Sequence, residues 1–324
     1  LNKNISKFEI KTAGNCVFSC LLTVLNHYNY NIDEVELFVL CNGLNIKYDE
    51  ENKIIGFLIL DLIGNLENQS ICFIEIKKDK DFIDNLETII DKGKLVFMTV
   101  TTSKMSYNEF YYKNVDRPHC ILIYDIDKEE RKAYIADTHL AIDYSEKTSS
   151  YNGETSINDI IEGGDMSFWL KNEKKAEISQ RQIIKLFNTN LKRFLDIAGE
   201  KNTGLNALRM SIDDSCKKIE LDDETFRQEC IDINYNIRIR SFMYLNDYVI
   251  LFIKKYEDIL KGNIKNILNS LENIKLQWSK IAFSILKCGI KRDRKGFMKI
   301  IEDAKKIIEE QEIILTDLLL CFDC

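Results

Sequence analysis

The segment Lys11-Thr12-Ala13-Gly14-Asn15-Cys16-Val17-Phe18-Ser19-Cys20-Leu21-Leu22-Thr23-Val24-Leu25-Asn26-His27-Tyr28 is the part of the chain from which the rest is most easily read. Val17, Leu21, Val24 and Leu25, with Phe18 and Leu22 alongside, recur at helical spacing, so the residues after Gly14-Asn15 form a buried helix. Cys16 then falls in its first turn. There, unpaired backbone N–H groups and the positive end of the helix dipole favour a thiolate, the form a nucleophilic cysteine needs. Cys20 lies one turn along the same face and is the alternative nucleophile, but a mid-helix thiol has no dipole to ionise it.

The pattern downstream is mixed. Val35–Leu40 is a short helix with its stop at Asn42-Gly43. Ile46–Tyr48 and Lys53–Phe57 are short strands around an Asp49–Asn52 turn. A helix follows over Gly56–Leu66, where the apolar density also leaves a strand open, then a strand over Ile71–Ile76 and a helix over Asp79–Lys92 that buries Phe82, Leu86 and Ile89-Ile90. Leu95–Thr101, rich in apolar and β-branched residues, is a central strand. Ser103–Asp116 is an aromatic loop carrying Tyr107, Phe110, Tyr111 and Tyr112.

His119–Asp125 and Lys132–His139 form a hairpin around the charged turn Asp127–Arg131. A turn centred near Lys128-Glu129 places His119 across from Asp137 or Thr138, within cross-strand reach. A histidine and an aspartate so placed can supply the base and its orienting group for a cysteine nucleophile. His139 shares the face of Asp137 and is the alternative base.

From Thr148 to Gly164 the composition turns to Ser, Asn and Gly, and a domain boundary is set near Lys171. Beyond it, Ile183–Ile197, Thr203–Cys216, Thr225–Lys261 with a break, Ile264–Cys288 and Lys295–Phe322 carry helical spacing and no strand pattern. The chain is therefore of the α+β class: a mixed domain over residues 1–170, then an all-α helical bundle over 171–324.

Composition sets the outer bounds. The 324 residues, 45% hydrophobic and 30% charged, are those of an ordinary globular protein. Longer apolar runs such as Ile54–Ile63 are broken, here by Gly56 and Asp61, and fall short of the roughly 18 residues a membrane span requires. With no basic, then apolar, leader pattern, the expected location is the cytoplasm and no membrane partner is expected. The ten cysteines show no disulfide-scaffold spacing and are expected to be reduced. Cys321-Phe322-Asp323-Cys324 lacks a second pair, and His27, His119 and His139 do not form a metal motif, so no metal is expected.

Charge divides with the domains, residues 1–170 holding 17 basic and 28 acidic side chains against 28 and 24 in the remainder. Lys287, Lys291, Arg292, Arg294 and Lys295 form a basic cluster that could dock an acidic partner. Neither half is basic enough for nucleic acid.

Cysteine at a helix start, histidine opening a later strand and aspartate ending the next is the chain order of papain-like folds, here Cys16, His119 and Asp137. The pattern resembles the papain-like peptidases of bacteriocin transporters, and more closely the acyltransferases of the butirosin biosynthesis protein H type. Glu36-Leu37-Phe38, Gly43-Leu44-Asn45-Ile46-Lys47-Tyr48, Gly93-Lys94-Leu95-Val96, the Tyr-rich loop, His119–Asp125 and Tyr134-Ile135-Ala136-Asp137 carry that closer likeness. It covers roughly residues 10–170.

This resemblance implies a papain-like, cysteine-protease-fold catalytic domain followed by a helical one. It implies acyl transfer from a carrier-protein thioester, through an acyl-enzyme on cysteine, to an amine. Amide synthases of the closthioamide kind, which acylate a diamine in antibiotic biosynthesis, are similar in composition. The acyl group would arrive on the phosphopantetheine of an acyl or peptidyl carrier protein, with no bound cofactor.

Papain-like peptidases place an oxyanion-binding glutamine about six residues before the cysteine, where this chain has Ile10. Asn15, Lys11 or Thr12, with the Cys16 backbone N–H, must then supply the donors. Tyr111, Tyr112 and Asp116 are the candidate substrate contacts. A peptidase or thioester hydrolase is the alternative enzyme, and a non-catalytic carrier-binding scaffold the alternative outside catalysis.

Overall fold

In the computed structural model, residues 8–113, 116–141, 148–171, 178–196 and 201–322 are described. Chain contacts group Leu1–Leu37 with Leu66–Glu177, and Phe38–Asn65 with Ile178–Cys324. The segment 38–65 therefore belongs with the helical part of the chain, although it precedes residue 171.

The first helix, α1 (Cys16–His27), starts where expected and for a local reason. Asn15 is extended, with φ −152° and ψ 168°, and its Oδ1 accepts the Phe18 N–H at 2.8 Å. An asparagine N-cap of this kind contributes about 1 kcal/mol. Every residue from Val17 to Leu25 is buried.

The next helix, α2 (Glu34–Leu40), ends by a different device from the glycine stop read in the sequence. Asn42 takes the left-handed conformation, φ 51°, and the Gly43 N–H closes onto the Phe38 carbonyl at 2.8 Å. Gly43 is needed because a Cβ there would overlap the Phe38 ring.

The hairpin β1 (Lys47–Asp49) and β2 (Ile54–Gly56) follows. Its turn is shaped by the Asp49 carboxylate, which accepts the N–H groups of Glu51 and Asn52. After α3 (Ile59–Asn68) come β3 (Phe73–Glu75), α4 (Phe82–Asp91), β4 (Val96–Thr101), β5 (Pro118–Asp127), β6 (Lys132–Ala141), β7 (Thr148–Ser156), α5 (Ile157–Gly163) and β8 (Gly164–Leu170).

These six strands, from β3 to β8, make one antiparallel sheet in the order β3-β8-β4-β5-β6-β7. Helix α1 packs against β4, β5 and β6. A core of Val96, Met98, Val100, Ile121, Ile123, Ala133 and Ile135 from the strands takes up Phe82, Leu86 and Ile90 of α4 and Ile157 and Ile160 of α5. Each such buried side chain contributes about 1.5–3 kcal/mol before the entropy of ordering it is counted.

Two features depart from the sequence reading. The Ser/Asn/Gly-rich stretch after Thr148 is built into the sheet: β7 pairs with β6, and β8 inserts between β3 and β4. The β5–β6 register also shifts. Asp125 pairs with Tyr134 but Ile123 with Ile135, an irregularity at Tyr124, and the last pair is Leu122 with Ala136. Continued, that register sets Asp137 beside Ile121, so His119 reaches it diagonally.

The remaining helices are α6 (Gln180–Phe194), α7 (Gly204–Ser215), α8 (Asp223–Tyr235), α9 (Phe242–Tyr256), α10 (Ile264–Lys291) and α11 (Arg294–Leu319). The break expected in 225–261 is a π-helical turn over Asn236–Arg240, with the Ser241 hydroxyl donating to the Asn236 carbonyl at 2.9 Å. The long pair α10 and α11 is pinned by a buried bond from Trp278 Nε1 to Gln311 Oε1 at 3.1 Å. Segment 38–65 joins these helices through backbone bonds, Tyr48 N–H to Asn202 and Gly204 N–H to Ile46. Among the described residues, no helix is long and apolar enough to cross a membrane.

Candidate active site

Asn15 caps α1 and thereby fixes Cys16 in the first turn, half-buried. The thiol is held well below its ordinary pKa. The largest cause is a hydrogen bond from the Cys120 thiol, followed, against the opposing effect of burial, by the charge and hydrogen bond of His119. Cys120 is itself buried, and burial together with Cys16 pushes its own pKa up, so it keeps its proton and acts as the donor.

His119 opens β5 and is buried, and its Nε2 lies 2.8 Å from Asp137 Oδ2. Burial works against a charged ring here. The Asp137 carboxylate and the Cys16 thiolate outweigh it and hold the imidazole well above its ordinary pKa. With Nε2 committed to Asp137, Nδ1 is the nitrogen that meets the Cys16 thiol.

Asp137 is fully buried and takes three donors. Oδ2 accepts from His119 Nε2 and from the Tyr107 hydroxyl at 2.7 Å, and Oδ1 accepts the His139 N–H at 3.0 Å. Burial alone would raise this carboxyl, but the charge and hydrogen bond of His119 bring it below its ordinary value. A buried carboxylate is tolerated only when its lone pairs are satisfied in this way.

Asn15 has a second role available. Its Oδ1 is spent on the cap, while its Nδ2 is buried with no hydrogen-bond partner among the described residues. A buried donor that adjoins Cys16 in the chain, at a helix N-terminus whose first-turn N–H groups have no intrahelical acceptor, is of the kind that can stabilise a developing oxyanion.

Residues 15–138 match the family model described as butirosin biosynthesis protein H, N-terminal. This stretch belongs to that family. Cys16, His119 and Asp137 all lie inside the butirosin H match, as does segment 38–65 of the helical unit, whereas β7, α5, β8 and the helices from α6 onward lie beyond it. Comparison with curated proteins returned no match.

The other expected residues divide. Lys11 is not brought to Cys16: its Nζ pairs with Glu9 at 2.7 Å and its backbone N–H bonds Thr23 Oγ1. Thr12 is exposed. Tyr111 is buried with its ring centroid 5.8 Å from that of His119. Tyr112 is exposed beneath the Lys113 ammonium, and the exposed Asp116 accepts a bond from Ser103.

In the basic cluster, Arg294 pairs with Asp223 at 2.9 Å and bonds the carbonyls of Ile219 and Leu221, while Arg292 lies 3.5 Å from Asp223. These two arginines tie the α10–α11 turn to α8. Lys287, Lys291 and Lys295 are exposed and form no ion pair among the described residues.

Cys20 is fully buried, which pushes its thiol well above the ordinary range and leaves it unreactive. Cys324 lies outside the described residues, and no group of three metal-binding side chains occurs among those described.

Tyr107, Cys120 and Ser19 were not singled out from sequence. Tyr107 sits in the aromatic loop and Cys120 adjoins His119, but the two roles come from tertiary contact and have no spacing signature.

Proposed function

We propose that the chain is a cysteine-dependent acyltransferase of papain-like design that forms amides in a biosynthetic pathway, the role implied by its family. The observation that carries this reading is the connected set Cys16, His119 and Asp137, with the Asn15 amide, unpartnered among the described residues, next to Cys16 in the chain.

In the proposed cycle, the Cys16 thiolate attacks the carbonyl of a thioester delivered on carrier-protein phosphopantetheine. Asn15 Nδ2 and the Cys16 N–H receive the developing oxyanion. The protonated His119 gives its Nδ1 proton to the departing pantetheine thiol, and Asp137 keeps the ring oriented throughout. The acyl-enzyme then meets an amine, C–N forms as C–S breaks, and His119 takes a proton from the new amide nitrogen. A diamine acceptor, as in closthioamide-type synthases, fits this chemistry. Lys287, Lys291 and Lys295 are the proposed docking residues for the acidic carrier.

A thioester is already activated, so this site can act with Asn15 as its oxyanion donor although Ile10 stands where a peptidase has its glutamine. The test is intact-protein mass and product analysis after incubation with acyl carrier protein and a panel of amines. A covalent acyl adduct on Cys16 and amide in excess of free acid support the reading. Free acid alone with every amine, or peptide cleavage at comparable rates, overturns it in favour of a hydrolase, and no adduct at all favours the binding scaffold.

A further inference from the structure

The proposed reaction has a proton count that His119 cannot satisfy alone. An alkylamine reaches the site as an ammonium ion and leaves as an amide N–H, so two protons must depart, and the neutral ring of the acyl-enzyme state can accept only one. Unless the first proton is lost to solvent before the amine enters, a second base within the same site must take it.

His139 is placed for that role. It follows Asp137 across an irregularity in β6–β7 pairing, and its backbone N–H is held by Asp137 Oδ1 at 3.0 Å. Its Nδ1 lies 3.3 Å from Oγ of Ser19, a buried residue one turn beyond Cys16 on α1.

The bonds around Ser19 accommodate the tautomer with its hydrogen on Nδ1. Ser19 Oγ accepts the Ala13 N–H at 2.8 Å and has the Ala13 carbonyl at 3.5 Å as an acceptor for its own hydrogen. A lone pair is then open to His139 Nδ1–H, and in that tautomer Nε2 is the basic nitrogen. Among the described residues His139 Nε2 has no partner.

An anion stands on the same side. The Glu34 carboxylate accepts the N–H of Gly14, two residues before Cys16, and its charge is felt at His139.

We infer that His139 and Glu34 form the acceptor site for a primary amine, Glu34 attracting the ammonium ion and His139 Nε2 removing its first proton. This rests on the acyl-enzyme reading above. The balance is closed: ammonium plus acyl-Cys16, neutral His139 and neutral His119 give amide, Cys16 thiolate and two imidazolium rings. The proton on His139 then passes to solvent. Burial holds His139 below its ordinary pKa, and so in the neutral form that can accept a proton.

The test compares two acceptors on the full-length protein loaded from a small acyl thioester. A diamine must lose two protons, whereas hydroxylamine, already neutral at neutral pH, must lose one. His139→Asn is expected to slow amide formation from the diamine about a hundredfold, the size of a general-base contribution. Hydroxamate formation and the rate of acyl-enzyme formation are expected to change by about twofold at most, within the usual spread for a lost neighbouring contact. Glu34→Gln should raise the KM for the diamine with little change for hydroxylamine.

A wild-type pH profile reads the same point without a variant. Deacylation by the diamine should show an ionisation on the acid side that hydroxylamine lacks, belonging to His139 among Cys16, His119, Asp137 and Glu34, the charged groups around it. Equal slowing of both acceptors, or profiles of the same shape, overturns the assignment. Absence of any acyl-enzyme in the wild type instead sinks the acyltransferase reading itself.

Discussion

The sheet unit and the helical unit bury different kinds of side chain. Around α1, β5 and β6 the sheet unit encloses His119, Asp137, Ser19 and two thiols within hydrogen-bonding networks. The helical unit is stacked with rings, Phe187 on Phe252 at 3.6 Å and Phe38 on Tyr248 at 4.4 Å, and its buried carboxylate, Asp214, is answered by Lys53 and Lys217. Aromatic packing gains free energy wherever it occurs, whereas a buried polar network must be satisfied in every member to break even. Polar burial is therefore informative about chemistry, and apolar burial about stability.

The sharpest way to break this contrast is Cys16→Ala, expected to abolish the acyl adduct and turnover in a mass and product assay, while Cys20→Ala keeps both. Equal loss in the two variants would mean that the polar network is not organised around Cys16. Next in size, Asp137→Asn should lower turnover about 10³–10⁴-fold, the range seen when a triad aspartate is neutralised. Its pH profile carries the sign. The thiolate–imidazolium pair exists above the depressed pKa of Cys16 and below the raised pKa of His119. Removing the Asp137 charge lowers the His119 value, so the alkaline limb should move to lower pH.

In the helical unit, Phe252→Ala should cost about 3–5 kcal/mol in denaturant unfolding. Acylation by a small thioester, measured where the protein is still folded, should stay near wild type. Tyr107→Phe, which removes one of two donors to Asp137 Oδ2, should lower turnover about tenfold, as expected for a bond to a charged group. The smallest effect is expected at the surface. Reversing Lys287, Lys291 and Lys295 to glutamate should raise the KM for carrier-bound substrate a few-fold and flatten its salt dependence, leaving a small thioester unaffected.

The sequence was most legible where one period ran unbroken. Helix α1, the central strand Val96–Thr101 and the long helices after Gln180 follow from spacing alone. Strands β7 and β8 were hidden because pairing with neighbours, and not their Ser, Asn and Gly content, makes them strands. The histidine and aspartate were found on the correct hairpin, but Asp127 pairs with Lys132, so the turn is centred one residue later than read, and the irregularity at Tyr124 takes back only part of that shift, which no composition signals. Two of the five basic residues read as a docking patch are held by Asp223, because a charge run does not reveal its intramolecular partners.

The late strand β8 has a consequence for how the polypeptide acquires its shape. It fills the gap between β3 and β4, pairing Phe73 with Leu170 and Val96 with Trp169. During synthesis, β4 therefore waits for some seventy further residues before one of its two edges is closed, and that edge belongs to a strand buried from Val96 to Val100. Such long-range closure slows folding and leaves a sticky template exposed meanwhile. A fragment ending with the family match at Thr138 would never close it, and is expected to aggregate, whereas one extended past Leu170 carries the strand that seals the sheet.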